Sequence, residues 1–538
     1  MSKEWLDKEK LISQLDDLPI DANRYKSIVD FCLDQCIVDI MDMLDSEFDS
    51  ELGPPAYPRM QLLLNLVFAE QRGVEDINLI NELGYTDDVF KIINPTKVPT
   101  RNTLMKVINC KDDIIFLSVF LYTLVKMNEY DFLEDITDNY LDGSDGRVNA
   151  SVNYLISEDE IEALELMNKW GLIHDGSDSK MKRVKATVNC KLRYYKNNPY
   201  ISKLIGLILK RIKLYNKTVY SKIDKFKEAL VDVDKKYVSV NFPEAFKIPT
   251  KQGGFDVGLN VQEVVTSNSI ILSCLLSRKA NDLSVLPEVG EELKRNVAIL
   301  KKLQENYGEK ENYGQLDDLF LKSNIWCDSG YDGEDNIKYI ITSKINFIIL
   351  PKKLAKQIND ALRKRNTTPS KNKNKKKNKT LKNDDDHSIK ECIRIIDGYL
   401  CPMGRPINLI DTILENSEYN KQKNLPEPLL RYHYIHKCED CKGCPYYMKH
   451  EEPCSVANYK ETTTQYKYEL VNTFLSGKYD EGYTRRFPVS EGVNGYLKRK
   501  KGILCLYGNT LQAAKNHLLL KNTLYNIIRF VKLKDSAW

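Results

Sequence analysis

One stretch constrains the fold more than any other: GGFDVGLNVQEVVTSNSIILSCLLS, residues 253–277. Phe255, Val257, Leu259 and Val261 recur at the two-residue period of a strand and point one way. Ser267-Asn268 interrupts the pattern, and Ile270 to Leu276 resumes it, so the stretch predicts a β-hairpin. NDLSVLPEVGEELKRNVAILKKLQ then reads as an amphipathic helix. NIWCDSGYDGEDNIKYI reads as strand, turn and helix, and INFIILP as another buried strand. A hairpin followed by helix–strand–helix–strand predicts a mixed α/β sheet.

With 538 residues the chain exceeds what one compact core holds, and its patterning divides it. Residues 1–130 read as helical, as in YPRMQLLLNLVFAEQRG, and VPTRNTLMKVINC predicts a turn and a helix capped by Thr100. This N-terminal region is the expected DNA-binding domain; its pattern suits a helix-turn-helix or a plain bundle. Residues 131–363 hold the first part of the α/β core, starting with the strand DNYLDGSD, which ends at an Asp142-Gly143 turn. A helical, basic insertion occupies about 155–250, as in KLIGLILKRIKLYNK. Residues 364–390 form a lysine-rich, self-repelling linker, expected to be disordered; a solvated spacer and a DNA tether are its two readings. A cysteine-rich segment spans 391–464, and a basic helical segment, 465–538, closes the core.

Charge is unevenly shared. Residues 1–60 carry 6 Lys/Arg against 14 Asp/Glu, whereas residues 482–538 carry 11 against 2. The basic end suits a polyanion. The start, MSKEWLDKEK, is too charged for a signal peptide, and the apolar run Ile114 to Val125, 12 residues, is too short to span a bilayer. The expectation is a cytoplasmic, nucleoid-associated chain with no membrane partner. Thirteen cysteines there argue for thiols or metal ligands, not a disulfide framework.

Three acids stand where chemistry can use them. Asp142 and Asp328 end predicted strands, and Glu491 lies near the start of a predicted helix. Hard oxygen ligands of this kind suit two Mg²⁺ or Mn²⁺ ions, which activate a water or 3′-hydroxyl and stabilise the leaving oxygen in phosphoryl transfer. The plainer readings are a turn at Asp142-Gly143, a helix cap in DSGYDG and a glutamate favourably placed at a helix N-terminus. In SEGVNGYLKRK, Glu491, Asn494, Gly495 and Lys498 share one helix face, while Val493, Tyr496 and Leu497 share the other. Arg485, Arg486, Lys498 and Arg499 are the candidate phosphate contacts, which would make DNA binding fall steeply with salt.

The cysteines form a second signature: Cys438-x2-Cys441-x2-Cys444-x9-Cys454, with Cys401 a possible substitute and His436 and His450 weaker ones. Tetrahedral Zn²⁺ is the first reading; an iron–sulfur cluster and a reduced, metal-free knuckle are the alternatives. Four thiolates leave no open position, so the role is structural.

LDGSDGRVNAS, GLNVQEVV, NDLSVLPEV, WCDSGYDGEDNIKYI and RRFPVSEGVNGYLK occur in this order. Together they resemble the DDE transposases of bacterial and archaeal insertion sequences, of the type with a cysteine-rich insertion before the final glutamate. Asp142-Gly143-Ser144 with Asn149-Ala150-Ser151 is similar to the first family motif, and Asp328-Ser329-Gly330-Tyr331 to the second. Tyr483, Arg486, Glu491 and Lys498 resemble the Tyr-Arg-Glu-Lys signature, with the arginine-to-glutamate gap one residue longer, which leaves Arg485 and Arg486 both open. The N-terminal helices are similar to those such transposases carry. The resemblance implies an RNase H-like catalytic core, hydrolytic nicking at transposon ends, strand transfer by the freed 3′-hydroxyl, and a homodimer bridging two DNA ends. A catalytically silent DNA-binding derivative and a nuclease of the same fold are the alternatives.

Overall fold

The hairpin forms one side of a seven-stranded sheet in the computed structural model. The structure describes the chain except for residues 1–6, 19–21, 45–56, 75, 135, 149, 232–235, 250–253, 309–317, 356, 358–388, 390–391, 423–424, 499–503, 509 and 538. The lysine-rich linker, apart from Ile389, and Asn149 thus lie outside the described residues. In chain order the strands are β1 (Asp138–Arg147), β2 (Leu155–Ser157), β3 (Tyr237–Ser239), β4 (Phe246–Pro249), β5 (Phe255–Thr266), β6 (Ile271–Ser277) and β7 (Asn324–Cys327). They continue with β8 (Asn346–Ile349), β9 (Ile393–Ile395), β10 (Gly398–Leu400), β11 (Pro406–Leu414), β12 (Arg431–Cys438), β13 (Asn458–Thr464) and β14 (Leu504–Cys505).

The main sheet runs β4–β5–β1–β7–β8, with β6 also on β5 and β14 also on β1. β5 is antiparallel to β1 from Asn139↔Thr266 to Arg147↔Gly258, whereas β7 and β8 run parallel to β1. β7 pairs with β1 only over Asp138–Tyr140, and β14 only at Gly146 and Arg147. The edge of β1 between them, where Asp142 sits, has no strand partner among the described residues. A crevice at the carboxyl ends of parallel strands is where open α/β sheets hold their ligands.

Two sequence expectations need correction. Asp142-Gly143 is not a turn: β1 continues through it to Arg147. The glycine serves close approach instead, because a Cβ there would stand 2.8 Å from Gln262 Nε2 and 3.0 Å from Asp282 Oδ1. Phe255 does not share the core with Val257, Leu259 and Val261; it is 54% exposed, beneath the Lys247 ammonium. From Val257 onward both faces of β5 are buried, as expected of a strand covered on two sides.

One apolar cluster unites the N-terminal helices, the sheet and the last helix, Leu511–Ala537. That helix fixes its place with buried polar contacts. His517 Nε2 and Lys521 Nζ each lie 2.6 Å from Glu70, and Asn526 Nδ2 donates to Thr123 Oγ1 at 3.0 Å and to the Ile271 carbonyl at 2.9 Å. Between β1 and β4 the chain builds a helical insertion with its own core, including Ile156, Leu164, Val188, Ile205, Phe226 and Val238. The cysteine-rich segment forms a five-stranded antiparallel sheet, β13–β12–β11–β10–β9. No described helix is long and apolar enough to cross a membrane.

Candidate active site

Asp142 projects from the unpaired edge of β1. Asp328 follows the last residue of β7, the adjacent parallel strand, and its Oδ1 accepts a hydrogen bond from Gly330 N at 2.6 Å. The helix Asp480–Lys498 packs against both strands. From it Arg486, 9% exposed, reaches Asp142 Oδ1 through Nη1 and Asp328 Oδ2 through Nη2, each at 3.4 Å. Two turns further on, Asn494 Nδ2 donates to Asp142 Oδ2 at 2.7 Å. Arg485 points away and pairs with Glu481 at the surface. Of the two arginines the sequence leaves open, Arg486 is the one at the aspartates.

This helix begins at Asp480, well before the start expected at the glutamate, and carries Pro488 inside it. Two features admit the early start. Asp480 and Glu481 place negative charge on the first turn, and Gly482 lets the backbone lie directly on Trp326 of β7. Val493 and Leu497 are buried as the face pattern predicts, with Tyr496 packed beside them. Glu491, however, is exposed, and no hydrogen bond or ion pair joins it to the aspartates among the described residues. Lys498, at the helix end, is half-buried, and its charge acts on Asp142, Asp145 and Glu263. Arg499 lies outside the described residues.

Burial dominates the electrostatics. It pushes Asp142 up to about 6; Arg486 opposes the shift and Asp328 adds to it. Burial also works against the charge on Arg486, but Asp142 and Asp328 outweigh it and raise the pKa of that guanidinium.

Three residues at this site do not declare themselves in the sequence. Asn494 shares the expected helix face, but nothing in the pattern gives it a role. Glu263 is the direct cross-strand partner of Asp142, is 2% exposed, and is pushed up to about 7, chiefly by burial. A glutamate within the apolar run of β5 is the signal for it. Asp282, in NDLSVLPEV, lies under Asp328: its Oδ1 accepts from Asn260 Nδ2 at 2.9 Å and Gln262 Nε2 at 2.7 Å, and the Tyr331 hydroxyl donates to Gln262. Its Oδ2 would be 3.4 Å from a Cβ on Gly330. Burial raises its pKa, with Asp328 adding to the effect.

The cysteines gather around the β10–β11 and β12 ends. Cys438 is buried, with Cys401, Cys441 and Cys454 packed in the same cluster. Burial lifts its thiol to about 11, and the charges of Cys441, Cys401 and Cys454 add to that. Cys444 is buried at the start of the short Pro445–His450 helix. His436 is enclosed by Tyr399, Tyr459 and Tyr468, and His450 stacks on Tyr446 at the surface. Among the described residues, no three His, Cys, Asp or Glu side chains are grouped closely enough to hold a metal ion. Asp142 and Asp328 do converge on one positive centre, the Arg486 guanidinium, and as hard oxygen donors that pair fits a divalent cation.

A mixed sheet with helices around it and two aspartates at neighbouring parallel strands fits the RNase H-like core of a DNA-processing transposase. The family model described as the transposase DDE domain matches residues 225–527, more than half of the chain, and the chain belongs to that family. The match takes in Asp328, Arg486 and Glu491 and begins downstream of Asp142. No curated protein and no solved structure matches the chain.

Proposed function

We propose that this transposase acts for an insertion sequence: it binds the element's ends, nicks the DNA by hydrolysis and joins the freed 3′-hydroxyl to target DNA. One observation carries the reading: Asp142, midway along β1, and Asp328, just past the carboxyl end of the parallel β7, far apart in sequence, share a single buried arginine. Asp142, Asp328 and Glu491 would hold two Mg²⁺ or Mn²⁺ ions, which when bound supply Lewis-acid stabilisation of the attacking and leaving oxygens. Asn494 and Arg486 each hold one oxygen of Asp142, so its carboxylate is oriented before substrate arrives. Arg485, Lys498 and Arg499 contact phosphates, and the N-terminal helices, including Arg101–Ile108, engage the element ends. The working form is a homodimer across two ends, beside the cellular DNA in the cytoplasm. Zinc at Cys438, Cys441, Cys454 and either Cys444 or Cys401 is proposed on the donor set alone; zinc analysis of the purified chain and its Cys438→Ser variant tests it.

The decisive experiment is strand transfer of a pre-cut element-end oligonucleotide with Mg²⁺ or Mn²⁺. Joined product from the wild type and none from Asp328→Ala is expected. Undiminished joining by Asp328→Ala removes the assignment.

A further inference from the structure

The helical insertion carries a charged surface that the aspartate site does not use. From Asp178 to Lys196 the sequence has seven lysines and arginines and one acid. The Asp178–Tyr194 helix buries only Val184 and Val188, four residues apart, so a narrow stripe faces the insertion's core and the rest faces solvent. Lys180 pairs with Asp175, and Lys191 lies over the Trp170 ring at 4.6 Å. Lys182, Arg183, Lys185 and Arg193 are exposed and make no ion pair among the described residues.

Beyond Asp175 and Asp178 at its start, no acid of the insertion forms an ion pair with this helix among the described residues. Three of the five acids of the Glu158–Lys169 helix pair with other elements: Asp159 with Lys203, Glu160 with Arg211, and Glu165 with Lys227. A face that merely solubilises mixes both signs; a face of one sign, left without counter-ions along a helix, is an electrostatic footprint for a polyanion. Tyr194, 81% exposed beside Arg193, adds an aromatic surface among the cations.

Position favours DNA as that polyanion. The insertion leaves the sheet at the carboxyl end of β1, where Arg147 stands five residues past Asp142. At strand rise this is about 17 Å, or roughly five base-pair steps. The helix itself, 17 residues, spans about 25 Å.

We propose that the Asp178–Tyr194 helix lies along the phosphate backbone of duplex DNA whose reacting strand sits at Asp142 and Asp328. It holds the DNA outside the reacting base pairs without reading sequence. This rests on the transposase reading, and the test separates the two. The full chain and its Lys182→Ala/Arg183→Ala/Arg193→Ala variant are titrated with a random-sequence duplex over a series of salt concentrations. Removing one neutralised phosphate makes the log–log slope shallower by about 0.9, so the variant's slope should fall by roughly 2 to 3. An Arg183→Lys/Arg193→Lys variant, which keeps the charges, should retain the wild-type slope. Wild-type binding with an unchanged slope in the triple-alanine variant overturns the inference alone. A wild type that binds no duplex at any salt overturns the transposase reading, and this inference with it.

Discussion

Gly482→Ala tests whether the arginine helix must lie directly on the sheet. A Cβ at Gly482 would stand 2.1 Å from Trp326 Cζ2, 2.4 Å from Cε2 and 2.8 Å from Cη2. Restoring ordinary contact needs a shift of about 1.3 Å. Trp326 cannot supply it easily: the ring is 4% exposed, its Nε1 donates to Asp138 at 2.7 Å, and Tyr479 meets it edge-on at 5.3 Å. The helix must move instead, and Arg486, one turn further along, moves with it. Overpacking of this kind costs about 1–3 kcal/mol, read by urea denaturation. A displacement of about 1 Å at Arg486 should also lower DNA cleavage by roughly 100-fold. Trp326→Leu makes room for the methyl, so in a double-mutant cycle the pair should be less damaging than the sum of the two changes by about 1 kcal/mol or more. If Gly482→Ala matches the wild type in both stability and cleavage, the helix does not depend on this contact and the reasoning fails.

Asp142→Asn should stabilise the fold near neutral pH while abolishing cleavage. The folded chain holds the Asp142 proton up to about pH 6, above the unfolded carboxylate, so its contribution is complete below about pH 4 and lost as pH rises through 6. The gain in the variant should reach at most about 3 kcal/mol at pH 8 and vanish at pH 4, as read by urea titrations at the two pH values. Glu70→Ala strips the buried partner from His517 and Lys521 and should cost about 3–5 kcal/mol in chemical denaturation. Gly333→Ala should destabilise by about 1–3 kcal/mol, because its Cβ would fall 1.8 Å from the Leu283 carbonyl oxygen, which no rotamer change can move; thermal melts check it.

The strands are legible because β5, β6, β7 and β8 carry their apolar residues in short, dense runs bounded by turn residues. β1 is legible only to Asp142. Gly143 and Gly146 look like punctuation in sequence, yet each lies in the strand because a neighbouring side chain occupies the space of its missing Cβ. Only the fold reveals what fills that space. The same limit hides Asp282 and Glu263. Nothing local to NDLSVLPEV says that Asn260 and Gln262 will donate to its aspartate, or that β5 will set Glu263 opposite Asp142. Pro488 misleads in the other direction, since a proline in sequence argues for a break where the helix in fact runs on from Asp480.

The extra residue between Arg486 and Glu491 has a geometric consequence. At 3.6 residues per turn, five residues rotate Glu491 by about 140° from Arg486, whereas four would leave the two about 40° apart. The position four residues on belongs to Ser490, which is 2% exposed, with its hydroxyl unpartnered among the described residues. Glu491 is exposed, about one turn before the Asn494 that holds Asp142, and joining a metal site there requires its side chain to turn toward Asp142. If it does so when DNA and metal are engaged, Glu491→Gln should reduce Mn²⁺-dependent cleavage by at least about 100-fold while leaving the melting temperature unchanged, since the residue is exposed in the free chain. Ser490→Ala should do the reverse, shifting stability and sparing cleavage. Full cleavage by Glu491→Gln, together with loss of cleavage in Asp282→Asn, would assign the third carboxylate to the turn beneath Asp328 and take it away from the helix.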